Sequence, residues 1–547
     1  MTAPHAHLRP GTVPGASPPF EEDRPTLALQ AVDGPAPSAA SVPVPPTAGW
    51  SAEGGRRRAL IARGALACVL IVQTLLTLRR PAGVTPFEAL SLTVGHAEAT
   101  VISAGTHGPW SVPALGGSPQ SFPALAAVAD AAGGIWAART VSLVLMLVTT
   151  TLLYGLATRL FNVRAGLCAA ALFAVLPSTA VLGGSATPEA AGLCLLACTA
   201  RAVTATGRAG RLAVLCAVPV AGAAVLTQHW TVLCLLPVVL LAGVRADDAG
   251  RFGGAAVRRV LAAAAGVAGL LWALHAAGVL TGPVFRSALG TPGVAASGPA
   301  GPGPAVLLLM AAAAVGAACH VFRDGMGEHP LLEVRRAAGR ARRAAAVLAL
   351  GAAAAAPLAA VAVSGSTAGG IGRVGALAWF AAPLAGVGVT WLMGRHLRFP
   401  QFAIAFWTAA LCLGMPHTDR WFAAYPDQER LAGVLAPYAG SSGTYLAIPA
   451  EMPGYQLRTS TRPEQWTDCA GRMDGSRFAA ADPDAACAQA VRSGEFRLIV
   501  LDGTTRPAVQ KAVVTALRGN PHYQLLADLT PDAGQTGYRI WVKVTRS

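Results

Sequence analysis

The chain contains repeated hydrophobic stretches, each long enough to approach the roughly 20 residues that a helix needs to cross a bilayer. Of its 547 residues, 53% are hydrophobic and 13% are charged, which is too apolar for a set of soluble domains. The pattern predicts a polytopic α-helical membrane protein with about eleven spans. The predicted spans are 59–78, 137–158, 165–183, 188–206, 211–227, 229–244, 257–280, 304–321, 344–363, 374–393 and 401–416.

Arginine residues alternate between the predicted loops as the positive-inside rule requires. With the N-terminus in the cytoplasm, the outer loops hold only Arg79, Arg80, Arg139, Arg286 and Arg373. The inner flanks hold larger groups, among them residues 56–63, 159–164, 201–211, 245–259, 323–343 and 395–398. The distribution predicts a multi-pass cell-membrane protein with a cytoplasmic N-terminus and an extracytoplasmic C-terminal domain.

The net charge of +15 does not indicate nucleic-acid binding, because the arginines lie between hydrophobic spans rather than on one basic face. No Cys or His cluster has the spacing of a metal site, so no metal ligand and no cofactor is predicted, although an acid pair could recruit a divalent ion. Cys469 and Cys487 lie in the polar C-terminal region and could pair if it lies outside the cytoplasm.

Three regions are predicted. Residues 1–55 are rich in Pro, Ala and Ser and are expected to be a disordered cytoplasmic tail, followed by a transmembrane domain over 56–416. That domain includes a large outer loop at 79–136 and a Gly/Pro-rich outer loop at 281–303. The polar tail at 417–547 is predicted to form an α/β domain, with strands at 444–448, 496–502 and 538–544 and helices at 484–492 and 507–518.

Polar residues beside the predicted spans are the candidates for chemistry. Glu88 and Glu189 are acids near the outer ends of spans, and Arg139 lies at another outer end. The weaker candidates are His96, Gln120, Gln228, His229 and Asp130. Each has a structural alternative: both acids follow a proline and could be helix N-terminal acids favoured by the dipole. Arg139 could be a snorkelling residue and His96 an interfacial one.

Several segments resemble the GT-C membrane glycosyltransferases, in the group of protein O-mannosyltransferases and lipid A aminoarabinose transferases. PFEALSLTVGH at 86–96 is similar to the opening of their first outer loop, Asp-Glu-x-x-Tyr followed by Gly-His, except that Phe87 occupies the Asp position and Ser91 the Tyr position. Other similar segments are GGSPQSFPALAAVAD at 116–130, the stretch 137–178, and GGSATPEAAGLCLLA at 183–197, in which Glu189 replaces an Asp. In the tail, MPGYQLRTSTRPEQW at 452–466 and FRLIVLDG at 496–503 resemble the extracytoplasmic domain of actinobacterial members of the group.

The resemblance implies a glycosyltransferase that takes sugar from a polyprenyl-phosphate carrier at the outer membrane face and gives it to a glycan, lipid or protein acceptor. A carboxylate would accept the proton of the acceptor hydroxyl, and cationic groups would bind the departing phosphate. Because Phe87 cannot act as a base, Glu88 and Glu189 are the catalytic candidates. The substrate-binding candidates are His96, Arg139, Gln120, Gln228 and His229.

Two alternatives remain open. The first is a catalytically inactive GT-C-fold protein that binds a lipid-linked glycan or a partner enzyme, with Phe87 marking the loss of the base. The second is a transporter, which predicts charges buried within spans or broken helices in paired halves. Convergence of Glu88, Glu189 and Arg139 on one outward-facing cavity would favour the enzyme.

Overall fold

The computed structural model describes most of the chain, and everything below refers to the described residues. These are residues 48–78, 83–104, 121–205, 207–244, 254–276, 278, 303–322, 333–364, 370–394, 399–423, 428–469, 483–503, 506–529 and 537–544. The described residues from Arg58 onward form one compact unit. Gln120 and almost all of the 281–303 loop lie outside the described residues.

The helical part of the molecule runs from Ala48 to Leu435. Its helices are α1 Ala48–Leu78, α2 Pro86–Ala104, α3 Ser121–Leu160, α4 Val163–Ala174, α5 Pro177–Gly184, α6 Pro188–Val203, α7 Gly207–Thr227, α8 Val232–Val244, α9 Gly254–Ala276, α10 Pro304–Phe322, α11 Glu333–Ser364, α12 Gly370–Leu392, α13 Pro400–Ala423 and α14 Glu429–Leu435. A single 3₁₀ turn, His229–Thr231, joins α7 to α8.

Each of the eleven predicted spans overlaps a helix or a bent helix pair. Five described helices are long and apolar enough to cross a membrane, or six if α4 and α5, bent by 64°, count as one span. Two further apolar helices are shorter, so the exact number of spans stays a prediction. The protein is a polytopic α-helical membrane protein with a C-terminal sheet.

Local sequence explains the two breaks in this bundle. Pro177 begins α5, and Leu176 before it is extended, at φ −71° and ψ 145°, because a residue that precedes proline disfavours the helical region. In α3 the break falls at Gly133 and Gly134, the latter at φ 69°. Positive φ is open to glycine at little cost. The kink separates a helix before Gly133 from the apolar stretch that follows it.

Two domain boundaries differ from the sequence-based expectation. Helix α1 begins at Ala48, inside the segment expected to be disordered. Residues 1–47 lie outside the described part of the chain. Helix α13 continues to Ala423, past the expected boundary at 416, with Pro416 inside it.

The C-terminal part is an α/β domain with a five-stranded sheet. It contains β1 Tyr445–Ile448, α15 Glu451–Gln456, β2 Trp466–Thr467, α16 Pro483–Arg492, β3 Leu498–Leu501, α17 Pro507–Leu517, β4 Tyr523–Leu529 and β5 Tyr538–Lys543. The strand order is β2-β1-β3-β5-β4. Strands β2, β1 and β3 are parallel, and β5 is antiparallel to both β3 and β4.

The predicted strands and helices of this domain are all present, whereas β2, β4 and α15 were not predicted. Cys469 and Cys487, which could pair if this region lies outside the cytoplasm, form a disulfide. The sheet shares a hydrophobic cluster with α2 and the start of α3, in which Leu90 and Phe122 join Tyr445 and Tyr455. The C-terminal domain therefore covers α2 and the start of α3, residues 86–104 and 121–130, which together we call the first loop segment. We call this side of the bundle the C-domain end.

Candidate functional site

Glu88 lies in the first turn of α2 and is completely buried. Thr85 and Glu88 form a capping box: the Glu88 N–H donates to Thr85 Oγ1 at 3.2 Å, and the Thr85 N–H donates to Glu88 Oε2 at 3.4 Å. The carboxylate also accepts hydrogen bonds from Arg139 Nε at 2.8 Å, Arg139 Nη2 at 2.9 Å and the Ala186 N–H at 2.8 Å. Both oxygens of Glu88 are therefore engaged by protein groups.

Arg139 completes this cluster from α3. Besides its two bonds to Glu88, its Nη2 donates to the Gly83 carbonyl at 2.6 Å, and its guanidinium lies 5.5 Å from the centre of the Trp136 ring. The side chain is 6% exposed. A buried two-point ion pair of this kind positions elements relative to one another, since removal of either partner leaves an uncompensated charge. Arg139 thus binds Glu88, and its contact with a phosphate stays a prediction.

His96 and Asp130 meet at the contact between the first loop segment and the C-terminal domain. His96 Nε2 lies 2.7 Å from Asp130 Oδ2, Tyr455 donates its hydroxyl to Asp130 Oδ1 at 2.8 Å, and Arg458 Nη2 donates to Oδ2 at 3.0 Å. Burial and the hydrogen bond to the Asp130 carboxylate raise the pKa of Tyr455 well above its ordinary value. Asp130 joins the helical and C-terminal parts of the molecule.

Glu189 is the second residue of α6, directly after Pro188, and is 3% exposed. Its side chain packs against Gly372 at the start of α12, where a Cβ would come within 3.0 Å of the Glu189 carboxyl carbon. Arg373, the next residue, is also buried and interacts electrostatically with Glu189. Glu189 Oε2 has no hydrogen-bond partner among the described residues. A buried carboxylate oxygen without a bond is costly unless something binds it, so this oxygen is a candidate ligand contact.

Gln228 and His229 lie on the turn between α7 and α8, and both are buried. The Gln228 side chain packs against Gly192, one helical turn beyond Glu189, where a Cβ would come within 2.8 Å of it. Neither ring nitrogen of His229 has a hydrogen-bond partner within the described chain. The turn therefore adds polar groups beside the first turns of α6.

The structure thus sorts the predicted site residues into three groups. Glu88 and Arg139 form an ion pair, His96 and Asp130 form the domain contact, and Glu189 lies on α6 near the Gln228 turn. The first and third groups touch through the backbone, because the Ala186 N–H that binds Glu88 lies three residues before Glu189. Gln120 lies outside the described residues, and Arg139 is not placed beside Glu189, whose charged neighbour is Arg373.

The arginine pattern places Arg373 in a predicted outer loop, and the predicted site does not include it. The predicted site also omits Tyr455 and Arg458, the partners of Asp130. The signal available for Arg373 was its position as a lone charge at the start of an apolar span. Within the part of the chain that the structure describes, no group of three His, Cys, Asp or Glu side chains could hold a metal ion.

Residues 124–251 match the model of the family described as dolichyl-phosphate-mannose-protein mannosyltransferase. The resemblance to the GT-C mannosyltransferase group is confirmed over this segment. The mannosyltransferase-type segment contains Arg139, Glu189, Gln228 and His229, whereas Glu88 precedes it. The third group of predicted residues therefore lies wholly within the matched segment.

Solved structures of two GT-C proteins are similar to this chain. One is ArnT from Cupriavidus metallidurans bound to undecaprenyl phosphate, with 14% identity, coverage of 87% of this chain and 97% of that chain, and a TM-score of 0.49. The other is the archaeal oligosaccharyltransferase AglB from Archaeoglobus fulgidus in complex with an inhibitory peptide and a dolichol-phosphate, with 13% identity, coverage of 88% and 74%, and a TM-score of 0.49. No curated protein matches the chain.

Proposed function

We propose that this protein is a membrane glycosyltransferase that moves a sugar from a polyprenyl-phosphate donor to an acceptor at the outer face of the cell membrane. The family matched by residues 124–251 is named for a dolichyl-phosphate sugar donor and a protein acceptor, which supports a donor of this chemical class. The proposal covers glycan, lipid and protein acceptors alike, because each can offer a hydroxyl group whose proton a carboxylate can accept.

The observation that carries the proposal is the placement of Glu189 beside Arg373. Glu189 Oε2 is buried and has no hydrogen-bond partner among the described residues. The side chain packs against Gly372, and Arg373, the next residue, interacts electrostatically with the carboxylate. Glu189 would accept the proton of the acceptor while the acceptor oxygen forms its bond to the anomeric carbon. The bond from that carbon to the phosphate oxygen breaks, and Arg373 would stabilise the departing lipid phosphate.

Glu88 has a supporting role in this proposal. Its oxygens are occupied by Arg139 and by the Ala186 N–H, so it cannot accept a proton from a substrate without breaking a buried ion pair. The bond to Ala186 fixes the backbone that leads into α6. Glu88 and Arg139 are therefore positioning residues that fix where Glu189 lies at the start of α6.

The test measures sugar transfer from a panel of radiolabelled polyprenyl-phosphate donors by purified full-length protein in detergent. Glu189→Gln should reduce transfer by at least about 100-fold, in the range expected for loss of a general base, with little change in melting temperature. The matched control is Glu98→Gln, a half-buried acid of α2 that should retain activity. Transfer that survives Glu189→Gln would overturn the assignment. EDTA followed by Mg²⁺ or Mn²⁺ tests whether the acid recruits a divalent ion.

One observation favours a second function, a GT-C-fold protein that binds lipid-linked glycan without transferring it. Phe87 occupies the Asp position of the first-loop motif and packs against the hydrophobic cluster under the C-terminal domain. This function would be supported if the wild-type protein binds a polyprenyl-phosphate sugar but transfers no sugar to an acceptor. Transfer gained by Phe87→Asp would then show that only the base had been lost.

A further inference from the structure

The 3₁₀ turn His229–Thr231, between α7 and α8, carries polar groups for which the protein supplies no partner. Both ring nitrogens of His229 and the indole Nε1 of Trp230 lack a hydrogen-bond partner among the described residues. The two residues are 6% and 4% exposed, so they are almost entirely removed from surface water. A buried tryptophan N–H usually has a partner, and a buried polar group left unmatched is costly. These unmatched groups therefore indicate a ligand.

The start of α6 has unmatched polar groups of the same kind. Thr187 occupies the N-cap position of α6, but its side chain makes no capping hydrogen bond. Its Oγ1 has no partner within the described chain, and the same holds for Glu189 Oε2 two residues later. Thr187 is buried. A threonine at this position ordinarily accepts a bond from a backbone N–H of the first turn, so the Thr187 hydroxyl is left for a ligand.

The turn and the start of α6 touch at Gly192. A Cβ at Gly192 would lie 2.8 Å from both Cβ and Cγ of Gln228 and 3.9 Å from Thr231 Cγ2, so the turn packs directly on α6. Gly192 is three residues after Glu189, about 4.5 Å farther along the helix. The unmatched groups of the two segments therefore belong to one corner of the bundle, which we define as residues 187–192 and 228–231 and call the α6 corner.

The α6 corner lies at the C-domain end of the bundle. The N–H of Ala186, directly before Thr187, donates to Glu88 of α2 at 2.8 Å. Ala186 also belongs to the hydrophobic cluster that joins α2 to the sheet. The arginine pattern predicts this end to be extracytoplasmic, which is the side on which the proposed function needs the sugar of the donor.

The chemistry of the unmatched groups favours a hydroxyl-rich ligand. The ionised Glu189 carboxylate can only accept hydrogen bonds, and the Trp230 N–H can only donate one. A neutral His229 has one donor and one acceptor nitrogen, and the Thr187 hydroxyl serves as both. A phosphodiester offers acceptors alone and a lipid chain offers neither, whereas each sugar hydroxyl is both donor and acceptor. A sugar ring can therefore match the complete set.

We propose that the α6 corner binds the sugar ring of the lipid-linked donor, and that His229 and Trp230 determine which sugar is accepted. The inference rests on the proposed glycosyltransferase function, because it takes Glu189 to lie beside the anomeric carbon of that ring. Hydroxyls of the ring bond to the His229 nitrogens, the Trp230 N–H and the Thr187 hydroxyl. A sugar of the acceptor has the same chemistry, but the donor ring carries the reacting carbon and must itself contact Glu189.

The experiment measures equilibrium binding of lipids to full-length protein in detergent. The probes are undecaprenyl phosphate carrying mannose, glucose or arabinose, and undecaprenyl phosphate without a sugar. His229→Phe and Trp230→Phe each keep an aromatic ring and remove the polar nitrogens. Each should weaken binding of the preferred sugar-bearing lipid about tenfold, as expected for the loss of one buried hydrogen bond, and leave binding of the sugar-free lipid unchanged. His229→Gln, which keeps a donor and an acceptor, should retain most of the affinity.

The matched control is His275→Phe, at an exposed histidine in the last turn of α9, which should bind every probe as wild type does. Equal weakening of the sugar-bearing and sugar-free lipids in His229→Phe would overturn the sugar assignment. Unchanged binding of both would also overturn it and would leave ordered water as the partner of the ring. Poorer use of a glycan acceptor with unchanged donor binding would assign the corner to the acceptor instead.

Binding needs no turnover, so this result is separate from the test of transfer. Wild type that binds the sugar-bearing lipid in a His229-dependent way but transfers nothing would contradict the transferase and keep the sugar site. Transfer that continues with unchanged donor preference in His229→Phe and Trp230→Phe would contradict the sugar site alone. If His229→Phe lowers the melting temperature, Thr187→Val takes its place, and an unchanged affinity for the sugar-bearing lipid in that variant would contradict the site.

Discussion

Glu88 and Arg139 form a buried two-point ion pair, with Arg139 Nε 2.8 Å from Glu88 Oε1 and Nη2 2.9 Å from Oε2. The pair joins the first turn of α2 to α3, although the two residues are 51 positions apart. The acid that this chain retains from the motif resembling GT-C enzymes is thus bound by an arginine of the same protein. Under the proposed function Glu88 has a structural role and Glu189 a chemical one, and mutagenesis can distinguish the two roles.

Arg139→Met should destabilise the protein strongly, because it leaves the Glu88 carboxylate buried without its cation. The expected loss is about 3–5 kcal/mol, whereas Glu88→Leu combined with Arg139→Met should recover most of it. Thermal unfolding in detergent measures both. The control is Arg539→Met, which breaks an exposed pair with Asp528 and should cost at most about 1 kcal/mol. A stable but inactive Arg139→Met protein would instead assign Arg139 to substrate binding.

Asp130→Asn should loosen the C-terminal domain from the first loop segment. The carboxylate accepts bonds from Tyr455 and Arg458 and contacts His96, and bonds to a charged group contribute about 1.5–3 kcal/mol each. Hydrogen exchange should rise in α2 and α15 while the core of the sheet stays protected. The same measurement on Asp528→Asn, at an exposed pair, serves as the control. Unchanged exchange in α2 would show that apolar packing alone holds the contact.

The helices could be predicted because each span is a continuous apolar run, and lipid leaves the backbone few alternatives to a helix. The sequence also contains the spacing of the capping box formed by Thr85 and Glu88, since Thr-Pro-Phe-Glu places the Glu three residues after the Thr. Strand β4 was missed because its residues do not alternate between buried and exposed, which removes the period-two signal of a half-buried strand.

The site was harder to predict because its partners are far apart in the chain. Asp130 and Tyr455 are 325 positions apart, and no local spacing indicates that they meet. Arg373 became part of the site only because α12 packs its first turn against Glu189. Sequence pattern places a residue on an element, whereas the packing of elements decides which side chains share a cavity.

The disulfide between Cys469 and Cys487 should stabilise the C-terminal domain. It closes a loop of 18 residues, for which the chain-entropy model gives about 3 kcal/mol. Cys469→Ser with Cys487→Ser, or reduction with dithiothreitol, should lower the unfolding temperature of this domain. Cys412→Ser, at an exposed free cysteine of α13, is the control. Alkylation of both thiols in protein taken directly from cells, without reductant, would contradict a disulfide in the native protein and the extracytoplasmic location predicted for the domain.

Gly316 should be essential to the contact between α10 and α12. A Cβ at this position would overlap the carbonyl oxygen of Leu384, and one at Gly388 would overlap that of Ala312, so the two helices approach through glycines on both sides. Small residues of this kind allow close packing of membrane helices. Gly316→Ala should therefore force the helices apart and cost about 1–3 kcal/mol. Gly351→Ala in α11, where nothing lies within 4 Å of a new Cβ, should be neutral or slightly stabilising, since alanine favours helix. Thermal unfolding in detergent measures both variants. Equal changes in unfolding temperature for Gly316→Ala and Gly351→Ala would mean that the glycine contact does not limit the packing of α10 on α12.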